Sequence, residues 1–289
     1  MSLIESALAK GLGTSPQSPV RSHPGEQRGD TSAAVRSRST PAVAAALGER
    51  INAVPLPLDL QACQEYRVLL EDTASRNLKA VAAYRILRTR ILQRARLQHW
   101  TTIGVTSAGI NDGKSLTTLN LSLSLARERN SDVVLLDLDM RNPSMCRYLG
   151  VKPRHHLCHF FEGHVGVADV FFSVGVENLI LAAGTVQTDQ ASELLATGKV
   201  AELLEYIKQR TRNPIILLDL PPLLNTDDAL VVAPKIDAVL LVAAEGHTDR
   251  SALVKAMKLL GNVPLAGLVL NRAVETSHGY GYYGYGPGY

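Results

Sequence analysis

Ala108-Gly109-Ile110-Asn111-Asp112-Gly113-Lys114-Ser115 is the stretch of this chain whose residue types and spacing speak most clearly of chemistry. A loop of small residues ending in lysine and a hydroxyl can hold a polyphosphate. Backbone N–H groups surround the phosphates, Lys114 reaches the terminal ones, and the Ser115 hydroxyl ligates Mg2+. The loop departs from GxxxxGK[ST] at its first position, which is Ala108. Asn111 suits a tight loop because asparagine tolerates a left-handed backbone better than most residues. The expected nucleotide contacts are Gly109, Ile110, Asn111, Asp112, Gly113, Lys114, Ser115 and Leu116.

Two acidic motifs complete the chemistry. Asp137-Leu138-Asp139-Met140-Arg141 closes the run VVLLDL, and Asp219-Leu220-Pro221-Pro222 closes IILLDL. Ligands bind at strand ends in open α/β sheets, and the period of two along a strand puts Asp137 and Asp139 on one side. A lone strand-end aspartate is usually a helix cap. Three around one phosphate loop suit a metal and an activated hydroxyl nucleophile. Further on, His278-Gly279-Tyr280-Gly281-Tyr282-Tyr283-Gly284-Tyr285-Gly286-Pro287-Gly288-Tyr289 carries five of the nine tyrosines. Glycine between them favours neither helix nor strand, so the phenols are free to enter an active site.

The elements that must position these groups read as follows. Thr102 to Ser107 is a strand that feeds the loop, and Ser115 to Arg129 is the helix that leaves it. Strands follow at Val133 to Leu138, Asn178 to Ala182, Ile215 to Leu220, Val239 to Ala243 and Leu265 to Asn271. Helices lie at Lys199 to Arg210 and Arg250 to Leu260. Continuous Val/Ile/Leu runs indicate strands buried on both faces, and alternation with helices implies a mostly parallel sheet with right-handed crossovers. The fold class is α/β, doubly wound. Before it, Arg76 to Arg96 has helical periodicity, with Val81, Tyr84, Leu87, Ile91 and Ala95 on one face and seven basic residues elsewhere. That basic face is either solvated or a contact surface for a partner subunit or an acidic membrane.

Residues 1–13 read as a short amphipathic helix with capping-box spacing at Ser2 and Glu5. Residues 14–57, rich in Ser, Pro, Ala and Arg, read as a disordered linker. The catalytic domain is expected over 58–276 and a flexible tail over 277–289. A net charge of +3 gives no case for nucleic acid. Three scattered cysteines suit reduced thiols, and no apolar run approaches the ~18 residues of a membrane span. These features describe a cytoplasmic protein. The His155, His156, Cys158, His159, His164 cluster matches no closed zinc pattern, and Trp100 is expected to pack in the core.

Taken together, the P-loop, DLDMR, LLDLPP, VLLVAAEG, LAGLVLNRA and the tyrosine cluster resemble the bacterial tyrosine autokinases (BY-kinases) of exopolysaccharide and capsule biosynthesis. The resemblance runs from about Leu58 to the C-terminus. The opening MSLIESALAK is similar to the start of exosortase-associated members. The resemblance implies a P-loop NTPase of the partitioning-ATPase and BY-kinase type that uses ATP and Mg2+. It implies that Lys114, Asp137, Asp139 and Asp219 are catalytic and that Ser115, Asp139 and Asp219 hold the metal, with Asp137 or Asp219 helping to deprotonate tyrosine. Asn271 would lie near the nucleotide base, and Arg141 would steady phosphate charge or a subunit contact. Tyr280, Tyr282, Tyr283, Tyr285 and Tyr289 would accept phosphate.

Assembly and partners follow from the same resemblance. In the family one subunit's tail enters its neighbour's site, and an integral-membrane polysaccharide co-polymerase activates the kinase and recruits it to the membrane. A cognate tyrosine phosphatase belongs to such systems. The family's assembly helix carries Glu-x-x-Arg-x-x-Arg. Here Arg85 and Arg88 are present but Ala82 replaces the glutamate, which weakens self-association. Two other readings compete: a partitioning-type switch ATPase and a non-catalytic ATP-binding scaffold. The former carries a second lysine early in the P-loop, at the place of Gly109.

Overall fold

The computed structural model describes residues 50–70 and 77–273. The amphipathic segment 1–13 and the tyrosine tail 277–289 lie outside the described residues, as does most of the linker.

Eight strands among the described residues form one sheet, in the order β1-β4-β5-β3-β6-β2-β7-β8. They are β1 (Val54–Pro55), β2 (Thr102–Ser107), β3 (Val133–Asp137), β4 (Phe171–Ser173), β5 (Leu179–Ala182), β6 (Ile215–Asp219), β7 (Ala238–Ala244) and β8 (Leu265–Asn271). Every neighbouring pair is parallel except β4 and β5. The mostly parallel, doubly wound expectation is met.

Helices cover both faces. α1 (Leu60–Glu65), α2 (Leu78–Gln98), α3 (Lys114–Leu125) and α4 (Met145–Leu149) precede the short α5 (Leu157–Phe161). α6 (Ala191–Ala196), α7 (Lys199–Arg210), α8 (Asp228–Val232) and α9 (Arg250–Leu260) complete the set. Alternate residues of one strand enter different cores. Val134 and Leu136 of β3 join Ile216, Leu218, Leu203 and Ile207. Val133 and Leu135 join Leu217, Val105, Leu121 and Ile91 on the other face. Burial of each such side chain contributes about 1.5–3 kcal/mol, which is why the strands read as unbroken apolar runs.

α2 buries Val81, Ile91, Leu92 and Ala95, while Tyr84 and Leu87 pack at the margin, as periodicity predicts. Its start is capped by Asn77 Oδ1, which accepts from Ala80 N at 3.2 Å. Trp100 also packs at the margin of this core.

Residues before the expected boundary at 58 also pack on the sheet. Ile51 is buried, Val54–Pro55 pairs with β4, and Leu56 N donates to the Ser173 carbonyl at 2.8 Å. A two-residue strand containing proline has no periodic signal, and its pairing exists only once β4 is in place.

Candidate active site

Parallel register assembles the acids. Asp137 at the end of β3 lies directly opposite Asp219 at the end of β6, while Val105 of β2 flanks Asp219 on its other side. The strand β2 runs out into the P-loop, where the Ser107 hydroxyl donates to the Gly109 carbonyl at 2.7 Å. Asn111 adopts φ 63°, the left-handed conformation expected of it. Gly113 is at φ 87°, and a Cβ there would stand 2.1 Å from Asn271 Nδ2. The left-handed backbone demands glycine at that position, and an added Cβ would displace the Asn271 amide.

Lys114 opens α3 and is almost fully buried. Its Nζ lies 2.6 Å from Asp139 Oδ2, 3.4 Å from Asp219 Oδ2 and 3.0 Å from Ser115 Oγ. Burial disfavours the ammonium, but Asp219 and Asp139 outweigh it and hold the Lys114 pKa above its ordinary range. The Thr118 hydroxyl lies 3.1 Å from Asp219 Oδ1, so Asp219 is engaged at both oxygens. Its carboxyl is raised chiefly by complete burial, with Lys114 opposing.

Asp137 differs from its neighbours. Its Oδ2 accepts from Ser144 N at 3.0 Å and Met145 N at 3.1 Å, but Oδ1 is buried without a partner. Burial, and then the negative charge of Asp219, push this carboxyl up to about 7. Strand alternation does not bring Asp137 and Asp139 together, because β3 ends at Asp137. Asp139 stands in the following turn, where its carbonyl and Oδ1 both accept from Asn142 N.

Tyrosine-protein kinase CpsD of Streptococcus pneumoniae is 31% identical over 186 residues, covering 62% of this chain and 79% of that protein. The chain belongs to the bacterial tyrosine-protein kinases. Tyrosine-protein kinase YwqD of Bacillus subtilis is 27% identical over 212 residues, covering 70% of this chain and 85% of that protein. The kinase domain of Escherichia coli tyrosine kinase ETK superposes with a TM-score of 0.66 at 23% identity. That match covers 81% of this chain and 94% of that one, and it bears on the fold alone. No family model matches the chain.

For a tyrosine kinase of this family the donor set around Lys114 fits Mg2+. Ser115 Oγ and the carboxylates of Asp139 and Asp219 are all hard oxygens. Thr118 and Ser144 belong to the same environment and escaped the sequence reading. Ser144 Oγ is also buried without a partner. A hydroxyl at i+4 from Lys114 on a helix was the available signal for Thr118.

Other expected site residues face elsewhere. Arg141 Nε and Nη2 hold Asp228 at 2.7 and 3.1 Å, and Nη2 reaches the Ser192 hydroxyl at 3.2 Å. Ser192 in turn donates to Asp228, so Arg141 anchors α6 and α8 beside the site. The Gly109 N–H donates to Asp112 Oδ2 at 3.1 Å, and Asn271 Nδ2 donates to the Asp112 carbonyl at 2.9 Å. Asn271 therefore touches the P-loop backbone. Ile110 is exposed, and Leu116 packs at the margin of a core.

Away from the site, Cys158, His159 and Glu162 bring ligand atoms within 4.8 Å of one another. Two of the three are explained without a metal. His159 Nδ1 accepts from His156 N to cap α5, and Cys158 lies in the core with its thiol pushed up by burial.

Proposed function

We propose that this chain transfers the γ-phosphoryl group of ATP to tyrosines of its own C-terminal tail, with Tyr280, Tyr282, Tyr283, Tyr285 and Tyr289 as acceptors. The observation that carries the reading is Lys114 Nζ held between the carboxylates of Asp139 and Asp219, beside an Asp137 oxygen with no partner. Lys114 neutralises charge on the β- and γ-phosphates, and the N–H groups at the start of α3 hold the phosphates in place. Ser115, Asp139 and Asp219 would hold Mg2+, which would supply the remaining neutralisation.

Asp137 is the favoured proton acceptor. Its free Oδ1 can accept a hydrogen bond from a phenol, its Oδ2 is fixed by two backbone N–H groups, and a pKa of about 7 matches a base working near neutrality. The tyrosine oxygen bonds to the γ-phosphorus and its proton passes to Asp137. The bond from that phosphorus to the β–γ bridging oxygen breaks, and ADP leaves with the electron pair.

The partner readings rest on the family. A membrane co-polymerase would activate the kinase and bring it to the inner face of the membrane. No helix among the described residues is long and apolar enough to cross a membrane itself. On α2, Arg85 is exposed and Arg88 Nη1 donates to the Ser124 carbonyl of the same chain at 3.0 Å. With Ala82 in place of a glutamate, this surface offers weak self-association.

The deciding experiment incubates full-length protein with Mg2+ and γ-labelled ATP, alone and with a co-polymerase cytoplasmic segment, and maps the label by mass spectrometry. Phosphotyrosine between Tyr280 and Tyr289, absent in Lys114→Met, is expected. ATP hydrolysis without phosphotyrosine, in the presence of a bound activator, would move the assignment to a switch ATPase.

A further inference from the structure

The outer side of the P-loop is gripped by two strand ends. His247 Nε2 donates to the Ile110 carbonyl at 3.0 Å, Arg272 Nη2 to the Asn111 carbonyl at 2.7 Å, and Asn271 Nδ2 to the Asp112 carbonyl at 2.9 Å. Three successive carbonyls are thus drawn to the same two elements, the turn after β7 and the end of β8. In a planar trans peptide the carbonyl of one residue and the N–H of the next point in opposite directions. Holding the carbonyls of residues 110–112 outward therefore turns the N–H groups of Asn111, Asp112 and Gly113 inward, where a phosphate nest needs them.

Asp112 poses a second problem. A carboxylate inside a phosphate loop repels the ligand unless it is turned away, and Asp112 is buried. The Thr248 hydroxyl donates to Asp112 Oδ1 at 2.5 Å, while Gly109 N donates to Oδ2 at 3.1 Å. Thr248 is itself fixed, because its oxygen accepts from Ala244 N at 2.7 Å. The chain of contacts runs from the last residue of β7, through one hydroxyl, into the loop.

We propose that Thr248 is a positioning residue for the polyphosphate site: with His247, Asn271 and Arg272 it holds the P-loop carbonyls and the Asp112 carboxylate outward, so that the loop N–H groups face the phosphates. The proposal rests on the reading of residues 108–115 as the nucleotide site. It assigns Asn271 to phosphate binding through the loop, in place of base recognition.

Inorganic tripolyphosphate separates the alternatives because it has no base. Binding of Mg·ATP and of Mg·tripolyphosphate is measured by calorimetry on the full chain for the parent, Thr248→Val, Thr248→Ser, His247→Ala and Lys114→Met. Thr248→Val keeps the shape of threonine and loses the donor to a carboxylate, so it weakens both ligands equally, by about tenfold. Thr248→Ser restores both to within about twofold, and the ligand-free melting temperatures of the two variants agree. Unchanged binding in Thr248→Val overturns the proposal, and so does a loss confined to ATP. If Thr248→Val does not fold, His247→Ala decides, because that side chain is half exposed. It weakens tripolyphosphate by about threefold, from the loss of one hydrogen bond, and unchanged binding overturns the proposal. Retained binding of both ligands by Lys114→Met refutes the nucleotide-site reading itself, which is a separate failure.

Discussion

The two sides of the P-loop are built on opposite rules. On the outer side, polar atoms of residues 109–112 meet named partners: three carbonyls meet side-chain donors, and the Asp112 carboxylate meets a hydroxyl and an N–H. On the inner side, charge is concentrated and part of it is left unsatisfied. Asp137 Oδ1 and Ser144 Oγ are buried without partners, and two aspartates face each other across adjacent strands. A buried unpaired polar atom costs about 1–3 kcal/mol, so such atoms persist where a ligand later satisfies them. The satisfied side holds shape and the unsatisfied side holds reactivity.

Removing the inner cation breaks that contrast most severely. Lys114→Met is expected to lower phosphotransfer by about 1000-fold or more, since it deletes preorganised charge stabilisation. Single-turnover transfer to the tail measures it, and a loss below about tenfold would show that Lys114 is not at the reacting phosphate.

Asp137→Asn is expected to lower the rate by about 100-fold, the scale of a general base. In the parent, kcat/KM rises with pH through about 7 as Asp137 ionises and then levels. The variant should lack that rising limb. A parent profile that is flat from pH 6 to 8 would remove Asp137 from the role.

The same shift has a sign in stability. Asp137 titrates near its ordinary 3.8 in the unfolded chain and at about 7 in the folded one, so between these values the folded state binds more protons. Ligand-free stability should therefore fall as pH rises from about 4 to about 7, and Asp219, also raised, adds to the trend. Asp137→Asn should flatten the slope. Melting temperatures with identical pH dependence in parent and variant would contradict the assignment.

The smallest effect concerns assembly. Ala82→Glu restores the family's acid–base spacing on the outer face of α2, and ultracentrifugation should show stronger self-association by a few-fold, as expected of exposed ion pairs. No change would place assembly on another surface.

Much of this was legible in the residue order. Thr102–Ser107, Lys199–Arg210, Arg250–Leu260 and Leu265–Asn271 fall where the apolar periodicity puts them. The P-loop, the acids that follow the two buried runs, and the family were equally plain, because phosphate binding and strand burial are local patterns. β1 was not, since a two-residue strand exists only through its pairing with β4.

What the sequence alone determined is which groups the protein owns: one phosphate loop, three aspartates that end or follow buried strands, and a run of tyrosines. What the tertiary structure decided is how those groups divide their labour. Asp137 keeps a free oxygen because Ser144 and Met145 occupy only one of its two, and its pKa is raised by burial in the fold and then by Asp219, which sheet register sets beside it. Arg141 turns to Asp228, and Thr248 meets Asp112 across 136 residues of chain. Spacing along a sequence encodes periodicity, whereas a pKa and a hydrogen-bond partner depend on which distant segment folding brings within a few ångströms.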